Sequence, residues 1–128
     1  MEKKGLVLCD SDVLIELIDR NNQQVFDKIV KFGFSNLCIS SVSFSELFCG
    51  ALNKAHHKKL SKELTKFILC EVDGEIDKTH RELIIKYCLS HRLQVNDALI
   101  AATALNYQLP LYTLNSSDFK LIKGLQLI

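Results

Sequence analysis

The sequence predicts an α/β fold with a mostly parallel sheet and helices on both faces. Three observations carry this. Short, continuously apolar runs recur along the chain, as in strands buried on both faces. Segments with helical spacing of apolar residues separate them, which is the alternation expected of parallel strands joined by helical crossovers. The 128 residues include one proline and five glycines, and they contain no repeat or low-complexity tract, so one domain with one real core is expected over residues 1–128.

The first apolar run is "GLVLC" at 5–9. Residues 12–19 follow as a helix, with Val13, Leu14, Leu17 and Ile18 on one side. "NNQQ" (21–24) breaks it and caps a second helix carrying Val25, Phe26, Ile29, Val30 and Phe32. "NLCIS" (36–40) reads as a second strand. Serines suited to capping then open a helix in "SSVSFSELFCGAL". A lysine-rich helix runs to about Phe67, and "ILCEV" (68–72) is a third strand. Residues 75–91 form a long amphipathic helix through Ile76, Leu83, Ile84 and Tyr87. "VNDALIAATALNY" is a further helix, with Asn96 placed as its N-cap. "LPLYTL" (109–114) is a fourth strand, "SSDFKLI" a helical turn and "GLQLI" a closing strand.

Composition narrows the chemistry. The formal charge is +1, which neither demands nor excludes a nucleic-acid partner. The five cysteines are odd in number and lack CxxC spacing, and the four histidines do not fall beside them. Reduced, buried thiols in a cytoplasmic protein are therefore expected rather than a zinc site. The N-terminal "MEKKGLVLCD" is too short in apolar residues for a signal peptide, and no run approaches the ~18 residues of a membrane span. Neither a GK[ST] phosphate loop nor a GxSxG elbow is present.

In parallel sheets, sites form at the C-terminal ends of strands near a topological switch. Asp10 ends the first strand, Glu46 follows the second, Asp97 opens a helix, and Asp118 follows the fourth strand after Asn115. Each has an ordinary reading as a cap, turn or polar-face residue. Asp10 or Asp12 could N-cap the first helix. As a set, such carboxylates would repel one another, and a hard divalent cation relieves that repulsion. Lys54, Lys58, Lys62 and Lys66 recur every four residues. They read either as a solubilising face or as a ridge that tracks a phosphate backbone.

Four blocks in order resemble the PIN domain family: "LCDSDVLIELID", "SSVSFSELFCGAL", "NDALIAATAL" and "LPLYTLNSSDFKLIKGLQLI". They span Leu6 to Ile128, and the chain is similar in size to stand-alone PIN proteins of the VapC type. The resemblance implies a three-layer α/β/α sandwich around a parallel sheet of four or five strands. It also implies a Mg²⁺-dependent (or Mn²⁺-dependent) endoribonuclease, the toxin of a type II toxin–antitoxin pair. On this reading Asp10 and Asp97 hold the metal, and Glu46 and Asp118 complete the catalytic acids. Asn115 stands where some members carry an acid. Ser11 and Thr113 offer hydroxyls, and Asp12 adds charge or caps the helix. The implied partners are an RNA substrate, a cognate antitoxin seated in a groove near the site, and a second copy in a homodimer. Phe44, Leu47 and Phe48 either line that groove or belong to the core. A PIN nuclease of RNA processing and a non-catalytic PIN-like binding module are the alternatives.

Overall fold

The computed structural model describes residues 5–128; the lysines at positions 3 and 4 lie outside the described residues. The chain runs β1 (Val7–Cys9), α1 (Ser11–Ile18), α2 (Gln23–Phe32), β2 (Leu37–Ser40), α3 (Ser41–Cys49), α4 (Lys54–Leu64), β3 (Ile68–Cys70), α5 (Gly74–His91), α6 (Val95–Tyr107) and β4 (Leu111–Tyr112). Short 3-10 turns lie at Phe34–Asn36 and Ser116–Asp118. No helix among the described residues is long and apolar enough to cross a membrane.

All strand pairs are parallel, in the order β3-β2-β1-β4. The chain moves outward from β1 to β2 to β3 and then returns to place β4 on the other side of β1. Right-handed crossovers therefore put α1 to α4 on one face of the sheet and α5 with α6 on the other. Alternation along the strands supplies both cores. Val7, Cys9, Leu37, Ile39 and Tyr112 pack with Val13, Leu14, Ile29 and Leu60 on the first face. Leu8, Cys38, Cys70 and Leu111 pack with Ile76, Tyr87 and the alanines of α6 on the second. Successive strand residues point to opposite faces, so a strand covered on both sides must be apolar throughout.

Four details depart from the expectations. "GLQLI" adds no fifth strand: among the described residues it makes one isolated parallel bridge, Leu111 to Leu127. The N-cap of α6 is Gln94, not Asn96, and its side chain makes no capping bond. Helix α4 ends at Leu64, so Lys66 lies past the end of the lysine ridge and pairs with Glu63 at 3.0 Å. Of the cysteines, all free, Cys9, Cys38 and Cys70 are buried, but Cys49 and Cys88 are exposed.

Candidate active site

The reversal of chain order between β1 and β4 leaves a crevice at their C-terminal ends, and the acids gather there. Asp10 is the first residue beyond β1 and the N-cap of α1. Its backbone N–H donates to the Tyr112 carbonyl at 2.9 Å, which carries the β1–β4 ladder one step past the strand. The residue is only 7% exposed. One carboxylate oxygen accepts from Ser11 N–H at 2.7 Å and the other from the Thr113 hydroxyl at 2.8 Å. Thr113 is itself buried immediately after β4, and its oxygen accepts from Asn115 N–H at 3.0 Å.

Asp12, in the first turn of α1, does not cap the helix in place of Asp10. It accepts from Val13 N–H at 2.7 Å and, across the crevice, from Leu114 N–H at 3.1 Å. The bond to Leu114 ties α1 to the chain leaving β4. Asp97 stands in the first turn of α6 and is half-buried. Asp118 ends the 3-10 turn after β4, exposed, where the Asn115 amide donates to its carboxylate. Asn115 thus steers Asp118 and adds no charge of its own.

Glu46 lies midway along α3 and reaches the same crevice. One oxygen accepts from the Ser11 hydroxyl at 2.8 Å, and the other from the Asn96 amide at 3.3 Å. Ser11 also lies 2.9 Å from the Ser43 hydroxyl. Ser43 and Asn96 are the contributors that sequence reasoning missed. Ser43 precedes Glu46 by three positions, one helical turn, which was a usable signal. Asn96 was assigned to capping, although its neighbour Asp97 already placed it at the site.

Electrostatics binds these acids into one group. Burial first, then the charges of Asp12 and Asp97, push Asp10 from 3.8 up to about 6, against the lowering by Thr113 and Ser11. Asp12 is raised chiefly by burial, with Asp118 adding to it. Asp97 is raised by burial and then by Asp118, Glu46 and Asp12. The ion pairs described elsewhere in the molecule join Arg20 to Glu16, His56 to Asp19, Lys66 to Glu63 and Arg81 to Asp77. None reaches the crevice. Burial and the charges of Asp10 and Asp12 also hold the Cys9 thiol at about 12, so it remains protonated behind the site.

Hard oxygen donors and mutual repulsion suit a divalent cation. Among the described residues no three Asp, Glu, His or Cys side chains stand close enough to enclose an ion. A cation held there would take one or two carboxylates and keep much of its water shell, as Mg²⁺ does where protein ligands are few. The lysines are arranged differently. Lys54, Lys58 and Lys62 lie exposed along α4, while Lys59 caps α1 through the Ile18 carbonyl at 2.8 Å. Phe44 and Phe48 lie with tilted rings 4.7 Å apart and line a groove with Leu64, Phe67 and Leu69, whereas Leu47 is buried in the core.

A parallel sheet that reverses at β1/β4, with carboxylates from four separate elements at that reversal, defines the class. The chain belongs to the PIN domain family, whose model matches residues 7–125. Its fold is that of the VapC-like members. It is similar to a toxin–antitoxin complex from Klebsiella pneumoniae, at 24% identity, 95% coverage of each chain and a TM-score of 0.80. It is likewise similar to VapBC2 from Rickettsia felis bound to a promoter DNA fragment (21% identity, 96% and 97% coverage, TM-score 0.82). DNA-bound VapBC from Salmonella typhimurium superposes with a TM-score of 0.83 at 20% identity, covering 96% of each chain. A comparison with curated protein sequences finds no match.

Proposed function

We propose that this PIN domain is a metal-dependent endoribonuclease and the toxin of a toxin–antitoxin pair. The observation that carries the reading is the acid cluster itself: Asp10, Asp12 and Asp97 are raised by burial and by the charges of neighbouring acids, Glu46 and Asp118 among them, with no basic side chain among the causes given by the described residues. Keeping such a cluster is costly unless a cation offsets it. Asp10 and Asp97 would hold Mg²⁺ or Mn²⁺, directly or through water. Bound there, the ion would supply charge for a phosphate oxygen and a more acidic water for in-line attack on the phosphodiester. Glu46 and Asp118 flank that position and can accept a proton or orient a water. Thr113 keeps Asp10 aimed into the crevice.

An acidic crevice repels RNA, so backbone contacts must come from elsewhere. Lys54, Lys58 and Lys62 on α4 are the candidates. The solved relatives named above are toxin–antitoxin assemblies, and a protein antitoxin is the corresponding partner here. The groove holding Phe44 and Phe48 would take an apolar antitoxin segment. A homodimer is the expected oligomer, read by light scattering.

The test is cleavage of candidate RNAs by purified protein with Mg²⁺. Asp10→Asn and Asp97→Asn should each abolish it, and EDTA should do so reversibly. Activity that survives both substitutions refutes the mechanism. Induction in cells with and without the neighbouring reading frame separates a toxin, whose growth arrest that neighbour relieves, from a processing nuclease, which leaves growth unchanged.

A further inference from the structure

We propose that Ser43 and Asn96 are positioning residues that fix both carboxylate oxygens of Glu46 for the reaction. This rests on the nuclease reading above and assigns work within it to two side chains that hold no metal.

The hydrogen-bond directions follow from which partners can donate. Glu46 as a carboxylate only accepts. The Ser11 hydroxyl has one proton, and its two neighbours are Glu46 Oε1 at 2.8 Å and Ser43 Oγ at 2.9 Å. Ser11 therefore donates to Glu46, and the Ser43 hydroxyl donates to Ser11. Ser43 is fully buried, and its own N–H is held by Ser40 Oγ at 3.1 Å. A chain of two hydroxyls thus starts inside α3, crosses to the first residue of α1 and ends on Glu46. Each bond in such a chain polarises the next. From the opposite side, Asn96 on α6 donates to Oε2 at 3.3 Å.

The consequence is geometric. Glu46 is an exposed side chain with three rotatable bonds, and Asp97 repels it. Left alone it would swing toward solvent, away from the other acids. The clamp draws it back, and it does so from three helices at once. Asn96 suits this task because an amide donates without adding charge beside Asp97. An aspartate there would donate nothing and would repel Glu46.

The experiment is a double-mutant cycle. Ser43→Ala and Asn96→Ala are each combined with Glu46→Gln, and kcat and KM are measured on one RNA with saturating Mg²⁺. Each single variant should lower kcat about fivefold to tenfold with KM little changed, the size expected for losing one ordinary hydrogen bond. In the Glu46→Gln background neither should cost anything further, because coupled residues are not additive. Two readouts do not depend on turnover. Glu46→Gln should shift the Asn96 side-chain amide resonances in the NMR spectrum. Both alanine variants should keep Mn²⁺ affinity, measured by calorimetry, within about threefold of wild type, since their hydrogen bonds lead to Glu46 and not to Asp10 or Asp97.

Additive losses in the cycle, or an active wild type with undisturbed alanine variants, overturn the clamp and leave the nuclease reading standing. A wild type that cleaves no RNA overturns that reading and the catalytic role of the clamp together. Unmoved Asn96 resonances in the Glu46→Gln protein overturn the contact itself.

Discussion

Replacing Asp10 by asparagine should make the metal-free protein more stable while removing its activity. The magnitude follows from the environment of the carboxyl. Its pKa stands at about 6 in the fold against 3.8 ordinarily, a difference dominated by burial and then by Asp12. Between those two values the folded chain binds more protons than the unfolded one. The stability linked to this group is therefore complete below about pH 3.8 and is lost as pH rises through about 6. Above that, holding Asp10 ionised costs about 3 kcal/mol, at 1.36 kcal/mol per pKa unit. Asparagine carries no charge but keeps an acceptor for only one of the two donors, Ser11 N–H or Thr113 Oγ1, which returns about 1 kcal/mol of that gain. The net expectation at pH 7.5 is a stabilisation of about 2 kcal/mol, or roughly 6–12 °C in Tm for a domain of this size.

The assay is urea unfolding in EDTA at a series of pH values, with equal m-values as the check that only stability has changed. Wild-type stability should decline from pH 4 to pH 7, and the Asp10→Asn curve should be flatter. Adding Mg²⁺ at 100 times its Kd should return about 2.7 kcal/mol to the wild type and nothing to the variant. An Asp10→Asn protein less stable than wild type at pH 7.5 in EDTA would refute the reasoning. So would a wild type that gains stability between pH 4 and pH 7, since Asp10 would then be held by favourable partners rather than strained by burial.

Thr113→Val should raise the Asp10 pKa further, because the hydroxyl bond is one of the interactions lowering it, and the acidic limb of the pH–rate profile should move to higher pH. An unmoved limb would mean that another group controls it. Lys58→Glu with Lys62→Glu should weaken RNA binding and flatten the dependence of log K on log salt by about one unit per lost phosphate contact. Equal slopes would mark the lysines as a solubilising face. In native buffer a thiol reagent should modify Cys49 and Cys88 rapidly and the other three cysteines only on unfolding, because only these two are exposed. Mass spectrometry of the labelled peptides reads this directly.

The fold was legible wherever burial dictates residue type. The runs around Leu8, Cys38 and Leu111 are apolar because helices cover both faces of the sheet, and that requirement is written residue by residue. Asp10 and Asp97 were legible because strand ends and helix starts are themselves legible. What failed depended on tertiary detail. "GLQLI" has strand composition, but pairing beyond Leu127 would need a partner edge, and β4 is only two residues long. Asn96 has capping chemistry, yet its side chain is bonded to Glu46, fifty positions away in sequence. Local propensity could not weigh that contact, which exists only once α3 and α6 meet. Lysine spacing suggested a ridge through Lys66, but the helix ends at Leu64 and Thr65 caps it. Asp12 could not be resolved from sequence, because both of its readings place it on the same first turn. The Leu114 N–H decides it, by anchoring Asp12 across the crevice to the chain after β4.

That anchoring bears on why the crevice holds together at all. Five carboxylates at one end of a sheet push apart the elements that carry them, α1, α3, α6 and the chain after β4. Opposing this, uncharged donors from one element bind acids carried by another. Thr113 after β4 holds Asp10 beside α1, Leu114 N–H holds Asp12, Ser11 on α1 holds Glu46 on α3, and Asn96 on α6 holds the same residue. A lysine or arginine in any of these places would neutralise the cluster more effectively, and would also occupy the position proposed for the cation. Neutral donors fix the geometry and leave the charge unspent. The strain this leaves in the metal-free protein is the quantity that the Asp10→Asn comparison measures.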